Sequence, residues 1–183
     1  MARVFRRYKS TIYGNYRKSA LIDGALTGAC MALILLVRNL LSAEPMNAPE
    51  NFITEVVLAV GIFWSCYQYR KGLEGGKVTL KELMLLGRGI GVVGGVLYGL
   101  LTWLYCGCIN PERVLWYNQH YIATIQEAQT GEEAQKAVEA VMRYTAGNWG
   151  VIAGFRSFVW SVLLAFFAAL LFRTEKGEVV AKK

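Results

Sequence analysis

The chain has 183 residues, 55% of them hydrophobic, with four cysteines and a net charge of +7. Its mean hydropathy is positive, and the apolar residues fall into four long runs separated by charged stretches, which argues for membrane spans and against a water-soluble domain built on one core. The cationic excess flanks the apolar runs, so it points to lipid headgroups and membrane topology, and no nucleic-acid partner is expected.

Residues 1–18 carry Arg3, Arg6, Arg7, Lys9, Arg17 and Lys18 interleaved with Tyr8, Tyr13 and Tyr16, the mixture that the headgroup region favours. The first span is expected over 19–41. Its 23 residues are long enough to cross a hydrocarbon core of about 30 Å, and so read as a retained anchor and not as a cleaved signal peptide. Gly24 and Gly28 lie four apart, followed by Ala32, and Asp23 and Arg38 mark its two ends. Pro45 and Pro49 punctuate a loop over 42–51. The second span is expected over 52–69, opening near Glu55 and closing on Tyr67, Tyr69, Arg70 and Lys71. After the glycine-rich turn at 72–77, Thr79 with Glu82 three residues on has the form of a capping box.

The third span, over 83–108, contains Gly87, Gly91, Gly95 and Gly99 at four-residue intervals. In water each glycine would weaken a helix by about 1 kcal/mol. In lipid the backbone bonds stay internal and small residues let a neighbouring helix approach closely, so this stretch is read as the packing spine. Gly89-Ile90-Gly91-Val92-Val93-Gly94 matches the dinucleotide-binding G-x-G-x-x-G pattern. That pattern requires a preceding strand and a following acidic residue, whereas both flanks here are apolar, so no nucleotide cofactor is expected.

Residues 111–146 read as an insert of two amphipathic helices joined near Gly131. Asn110 with Pro111 and Glu112 forms one helix start, and Thr130 with Glu133 forms a second. Val114, Leu115, Asn118, Tyr121, Ile122 and Ile125 would share one face. Ala134, Ala137, Val138, Val141 and Met142 mark the other helix's apolar stripe. The insert either lies on the headgroup layer, which suits Trp116, Tyr117 and Tyr121, or caps the bundle. The fourth span is expected over 149–172, with Gly150 and Gly154 four apart and Arg156 near its start. A charged tail follows.

Fourteen lysines and arginines fall on the side holding both ends and the 70–81 turn, against three on the other. The positive-inside bias therefore predicts a cytoplasmic (inner) membrane protein with both termini cytoplasmic and the insert extracytoplasmic. The fold class expected is an all-α membrane protein: four transmembrane helices in one integral domain, with the helical pair between spans three and four. Charges inside the bilayer are costly unless paired. Sorted by depth, Asp23 falls with Arg88 toward the inner end. Glu55 falls with Arg38 and Arg156 toward the outer end, where two arginines against one acid would suit a phosphate or carboxylate. The cysteines lack the spacing of a zinc site, and His120 has no second histidine to share a metal. No metal, cofactor or catalytic group is expected.

Several of these features occur together: Tyr69-Arg70 after the second span, Gly72 in the turn, the glycine-rich third span, Ile109-Asn110-Pro111-Glu112 and the helical insert. In them the chain resembles a family of small four-span bacterial membrane proteins of unknown function, mostly from Bacteroidota. The resemblance extends over nearly the whole chain and implies no activity. The functional expectation is a non-enzymatic accessory or assembly subunit, whose small-residue faces would meet a second copy or another membrane protein. The alternative is a protein that handles polyprenyl phosphate or another anionic lipid, and a weaker one is a small-solute transporter. The lipid bilayer is a partner in every case.

Overall fold

The computed structural model describes residues 15–41, 52–73, 77–128 and 130–174. The basic lead-in before residue 15, the proline loop at 42–51, residues 74–76 of the turn and the tail beyond 174 lie outside the described residues. The elements are α1 (Tyr16–Leu41), α2 (Phe52–Gly72), α3 (Leu80–Leu104) running into a π-helical turn (Tyr105–Ile109), α4 (Glu112–Ala128), α5 (Glu132–Met142) and α6 (Ala146–Phe172). No strand occurs among the described residues. α1, α2, α3 with its π turn, and α6 are long and apolar enough to cross a bilayer. The protein is thus an all-α, multi-pass membrane protein with a pair of amphipathic helices between its third and fourth spans.

Helix boundaries follow capping chemistry more closely than hydropathy. Asn15 Oδ1 accepts the Arg17 amide at 2.9 Å, so α1 starts three residues before its apolar run. Thr79 caps α3: its hydroxyl accepts the Glu82 amide at 3.3 Å and Glu82 returns a carboxylate oxygen to the Thr79 amide at 3.0 Å. Thr145 and Asn148 make the same reciprocal arrangement at the start of α6, which places that start at Ala146. Thr79→Ala is expected to lower stability by about 1 kcal/mol, seen as a lower thermal midpoint in detergent.

Two expected caps do not form. The Thr130 box gives way to Gly131, whose φ of 101° is a backbone conformation that only glycine adopts without strain. Asn110 turns its side chain back toward the Tyr105 hydroxyl, because the π turn before it, closed by Asn110 N–H to Tyr105 C=O at 2.8 Å, brings that ring within reach.

Packing centres on α3. α1 and α6 lie against it on different sides, and α2 bridges α1 and α6. α1 presents two rows at helical spacing. Ala20, Gly24 and Gly28 meet α3 at Gly89, Ile90 and Gly94, while Asp23 and Thr27 turn to α2 at Ser65 and Gly61. A β-carbon built on Gly28 would stand 2.6 Å from the Gly94 carbonyl oxygen. On α3, Gly87, Gly91, Gly95 and Gly99 face α6 at Ala165, Ser161, Gly154 and Gly150 in turn. That contact is reciprocal: a β-carbon on Gly99 would meet the Gly150 carbonyl oxygen at 2.6 Å, and one on Gly150 the Gly99 carbonyl oxygen at 2.7 Å. Backbones this close gain dispersion along the whole helix, the main attraction left when both helix and solvent are apolar.

Leu58, Ile62, Leu83, Leu86 and Ile90 fill the space between α2 and α3 and are fully buried. Leu26, Val96, Val151 and Phe155 turn outward, where acyl chains solvate them. At the end away from the insert, the Val78 amide donates to Thr174 Oγ1 at 2.7 Å and the Thr174 amide to the Val78 carbonyl at 3.2 Å, tying the start of α3 to the end of α6.

Candidate functional site: a polar cavity beneath the cap helix

α4 caps the bundle. Its buried face carries Tyr117 and Asn118, and both close on Trp149, which is completely buried at the head of α6. The rings of Tyr117, Tyr121 and Tyr144 lie 5.3, 5.4 and 5.8 Å from the indole. The indole N–H donates to Asn118 Oδ1 at 2.9 Å, and Asn118 Nδ2 donates to the Tyr144 carbonyl at 3.1 Å. Every polar atom that Trp149 brings inside is therefore satisfied, as burial requires. Burial pushes the Tyr117 phenol above its ordinary value, with the nearby Cys106 thiol adding to the effect and Arg113 opposing it.

This geometry corrects the expected apolar face of α4 by about one position. Leu115 is 65% exposed while Tyr117 is inside, because the docking partner is an aromatic ring and not a flat lipid surface. On α5, Ala134 and Val141 are buried and Met142 is exposed. His120 stacks on Trp116 at 5.3 Å, and Arg113 covers the same ring at 5.4 Å.

Beneath this cap lies a cavity of about 370 Å³. Met31, Leu58 and Ile152 form apolar walls, and Tyr121, Trp149 and Trp160 aromatic ones. The polar lining comes from three helices: Thr54 and Glu55 on α2, Tyr98 on α3, Arg156 and Ser157 on α6. Glu55 and Arg156 form an ion pair, with side chains 17% and 30% exposed. The Ser157 hydroxyl donates to the Ala153 carbonyl at 3.0 Å. Tyr98, only 3% exposed, lies beside Thr54 and Thr102, and its hydroxyl completes no hydrogen bond of good geometry among the described residues. A buried phenol left in this state costs about 1–3 kcal/mol.

The other charges lie elsewhere. Asp23 is buried against Ser65 and Cys66 of α2, whereas Arg88 is exposed on α3, so no Asp23–Arg88 pair forms. The reason is rotation. α1 meets α3 through Gly24 and Gly28, which turns Asp23 about 100° away, and Arg88 lies about 200° around α3 from Ile90, which faces α1. Arg38 is half-buried at the far end of α1 and does not line the cavity, which leaves one arginine and one carboxylate there. Cys30 and Cys108 are exposed, Cys66 and Cys106 buried, and all four are free thiols.

Thr54, Tyr98, Ser157 and Trp149 were not singled out by sequence reasoning. Tyr98 did carry a signal: a phenol mid-span needs a polar neighbour, which marks its level in the bundle as wet or occupied. A second hollow, an open groove of about 710 Å³ between α3 and α6, has Gly95, Gly99, Gly150 and Gly154 along its floor.

No curated protein and no solved structure matches the chain. A family model does, over residues 22–174, a stretch that takes in nearly all of the four-helix bundle, the cap and every polar residue of the cavity: the chain belongs to the DUF4199 family of proteins of unknown function.

Proposed function

We propose that this protein is a non-enzymatic membrane protein that holds the phosphate-bearing headgroup of a lipid in the cavity beside Arg156. The observation that carries the reading is the cavity itself, a partly open hollow of mixed polar and apolar lining with a guanidinium on its wall. Arginine's planar fork matches phosphate oxygens two at a time. The depth suits a headgroup. Glu55 lies in the first turn of α2, about 5 Å from the helix start. On the lysine and arginine distribution this end faces outward, with both termini cytoplasmic. The expected excess of two arginines over one acid gives way to a balanced pair, so any phosphate must share Arg156 with Glu55. Protein purified from membranes in mild detergent is expected to retain about one lipid phosphate per chain, and Arg156→Gln to lose it. Wild-type protein free of lipid phosphate sinks the reading.

A second reading, an accessory or assembly subunit, draws on the α3–α6 groove. The faces of Gly24, Gly28, Gly87 and Gly91 are filled from within the bundle. The groove is a concave surface open to a transmembrane helix of another protein, with Val96, Val151 and Phe155 as its walls. Its signature is a partner released by Val151→Trp, which fills the groove, with lipid phosphate unchanged.

A further inference from the structure

We infer that the cavity beneath the cap is a site for a phosphoethanolamine group, with its phosphate on Arg156 and its primary ammonium on Glu55 and the Tyr98 hydroxyl. This rests on the headgroup reading above and narrows it to one chemistry.

Charge balance comes first. Glu55 and Arg156 are paired directly on the wall of a hollow of about 370 Å³ whose other lining is largely apolar and aromatic. Bringing a purely anionic group to Arg156 sets it against the Glu55 carboxylate, and a purely cationic group meets Arg156 in the same way. Either leaves an unbalanced charge in a medium of low polarity, which is strongly unfavourable. A group bearing both signs inserts between the two side chains and exchanges one ion pair for two, with no change in net charge.

Hydrogen bonding then separates a primary ammonium from a quaternary one. Tyr98 is 97% inaccessible, and its hydroxyl, beside Thr54 and Thr102, completes no hydrogen bond of good geometry among the described residues. Thr54 and Ser157 add two more hydroxyls to the same wall. Glu55 and these oxygens accept N–H donors, and an ammonium with three N–H groups supplies them. A trimethylated ammonium supplies none. It would instead need an open aromatic face, and three tyrosine rings already crowd the most deeply buried indole of the cavity, Trp149.

The group can arrive on a phospholipid or as a free solute, and one experiment separates the two. The intact protein is placed in nanodiscs containing equal parts of phosphatidylethanolamine, phosphatidylcholine and phosphatidylglycerol, with free phosphoethanolamine in the buffer, and the retained species is weighed by native mass spectrometry. Phosphatidylethanolamine is expected to be retained about tenfold over each of the others, a preference of about 1.4 kcal/mol. Glu55→Gln is expected to remove that preference and leave phosphatidylglycerol bound as well. Tyr98→Phe removes only a hydroxyl and keeps the ring that packs the bundle, and is expected to weaken the preference without loss of fold. Equal retention of phosphatidylglycerol or phosphatidylcholine by the wild type overturns this inference and leaves the headgroup reading standing. Retention of free phosphoethanolamine with no lipid supports the chemistry here and overturns the lipid source. Retention of nothing overturns both.

Discussion

Gly28→Leu and Gly99→Leu, made separately, are expected to keep the bundle from closing, each lowering stability by about 3 kcal/mol or more. The first β-carbon is already too much: at Gly28 it would meet the Gly94 carbonyl oxygen at 2.6 Å, and at Gly99 the Gly150 carbonyl oxygen at the same distance. Both obstacles are backbone, which cannot rotate aside as a side chain does, so the helices must separate along their length. Gly107→Ala is the control. Its new carbon would sit 3.6 Å from the nearest atom, Ala146 Cβ, and stability is expected to stay within about 0.5 kcal/mol. Denaturant midpoints in detergent micelles report all three. A Gly99→Leu protein with a wild-type midpoint would show that α3 and α6 do not pack as described.

Trp149→Ala is expected to cost about 3–5 kcal/mol and to release α4 from the bundle. Three tyrosine rings and Asn118 converge on that indole, the largest fully buried side chain of the cluster beneath the cap. Trp149→Phe keeps most of the ring packing but leaves Asn118 Oδ1 without its donor, an expected loss of about 1–3 kcal/mol. Hydrogen exchange tests the difference. In Trp149→Ala the amides of α4 should exchange much faster while those of α1 to α3 keep their protection. Since Trp149 also walls the cavity, the alanine variant should retain less lipid. Unchanged protection of α4 would show that the cap is held by something other than this residue.

The level of a residue along the bundle was legible from sequence for Glu55 and Arg156, and rotation about each helix was not. Hydropathy and charge placed Glu55 near the start of one span and Arg156 near the start of another. They entered from the same side, which is enough to bring the two to one level. The same reasoning put Asp23 level with Arg88, but level is not facing. Which way Asp23 points depends on α1 using Gly24 and Gly28 against α3, a choice settled by contacts with residues about 66 positions away. The row of Gly87, Gly91, Gly95 and Gly99 was plain as a repeat, yet nothing in it says that α6 is the neighbour. Gly94, which lies outside the repeat, is what lets α1 approach. The helix starts at Asn15 and Thr145 carry capping side chains that hydropathy passes over. The π turn over Tyr105–Ile109 has no compositional signature at all. It follows from the end of α3 having to place Tyr105 and Cys106 beneath α4. The cavity was the least legible feature, since it exists only where three helices bring their polar residues to one height.

The seating of α3 also bears on how the molecule is made. Its glycine face is shaped for α6, and the two are separated by the whole of α4 and α5. Until α6 is made, a nascent chain ending before Ala146 holds a ridge of bare backbone whose partner is absent. The bundle therefore cannot mature hairpin by hairpin from the N-terminus: α1 and α3 can meet early, but the α3–α6 seam closes only once α6 has been made, and a chain cut short in the cap is left with its ridge uncovered.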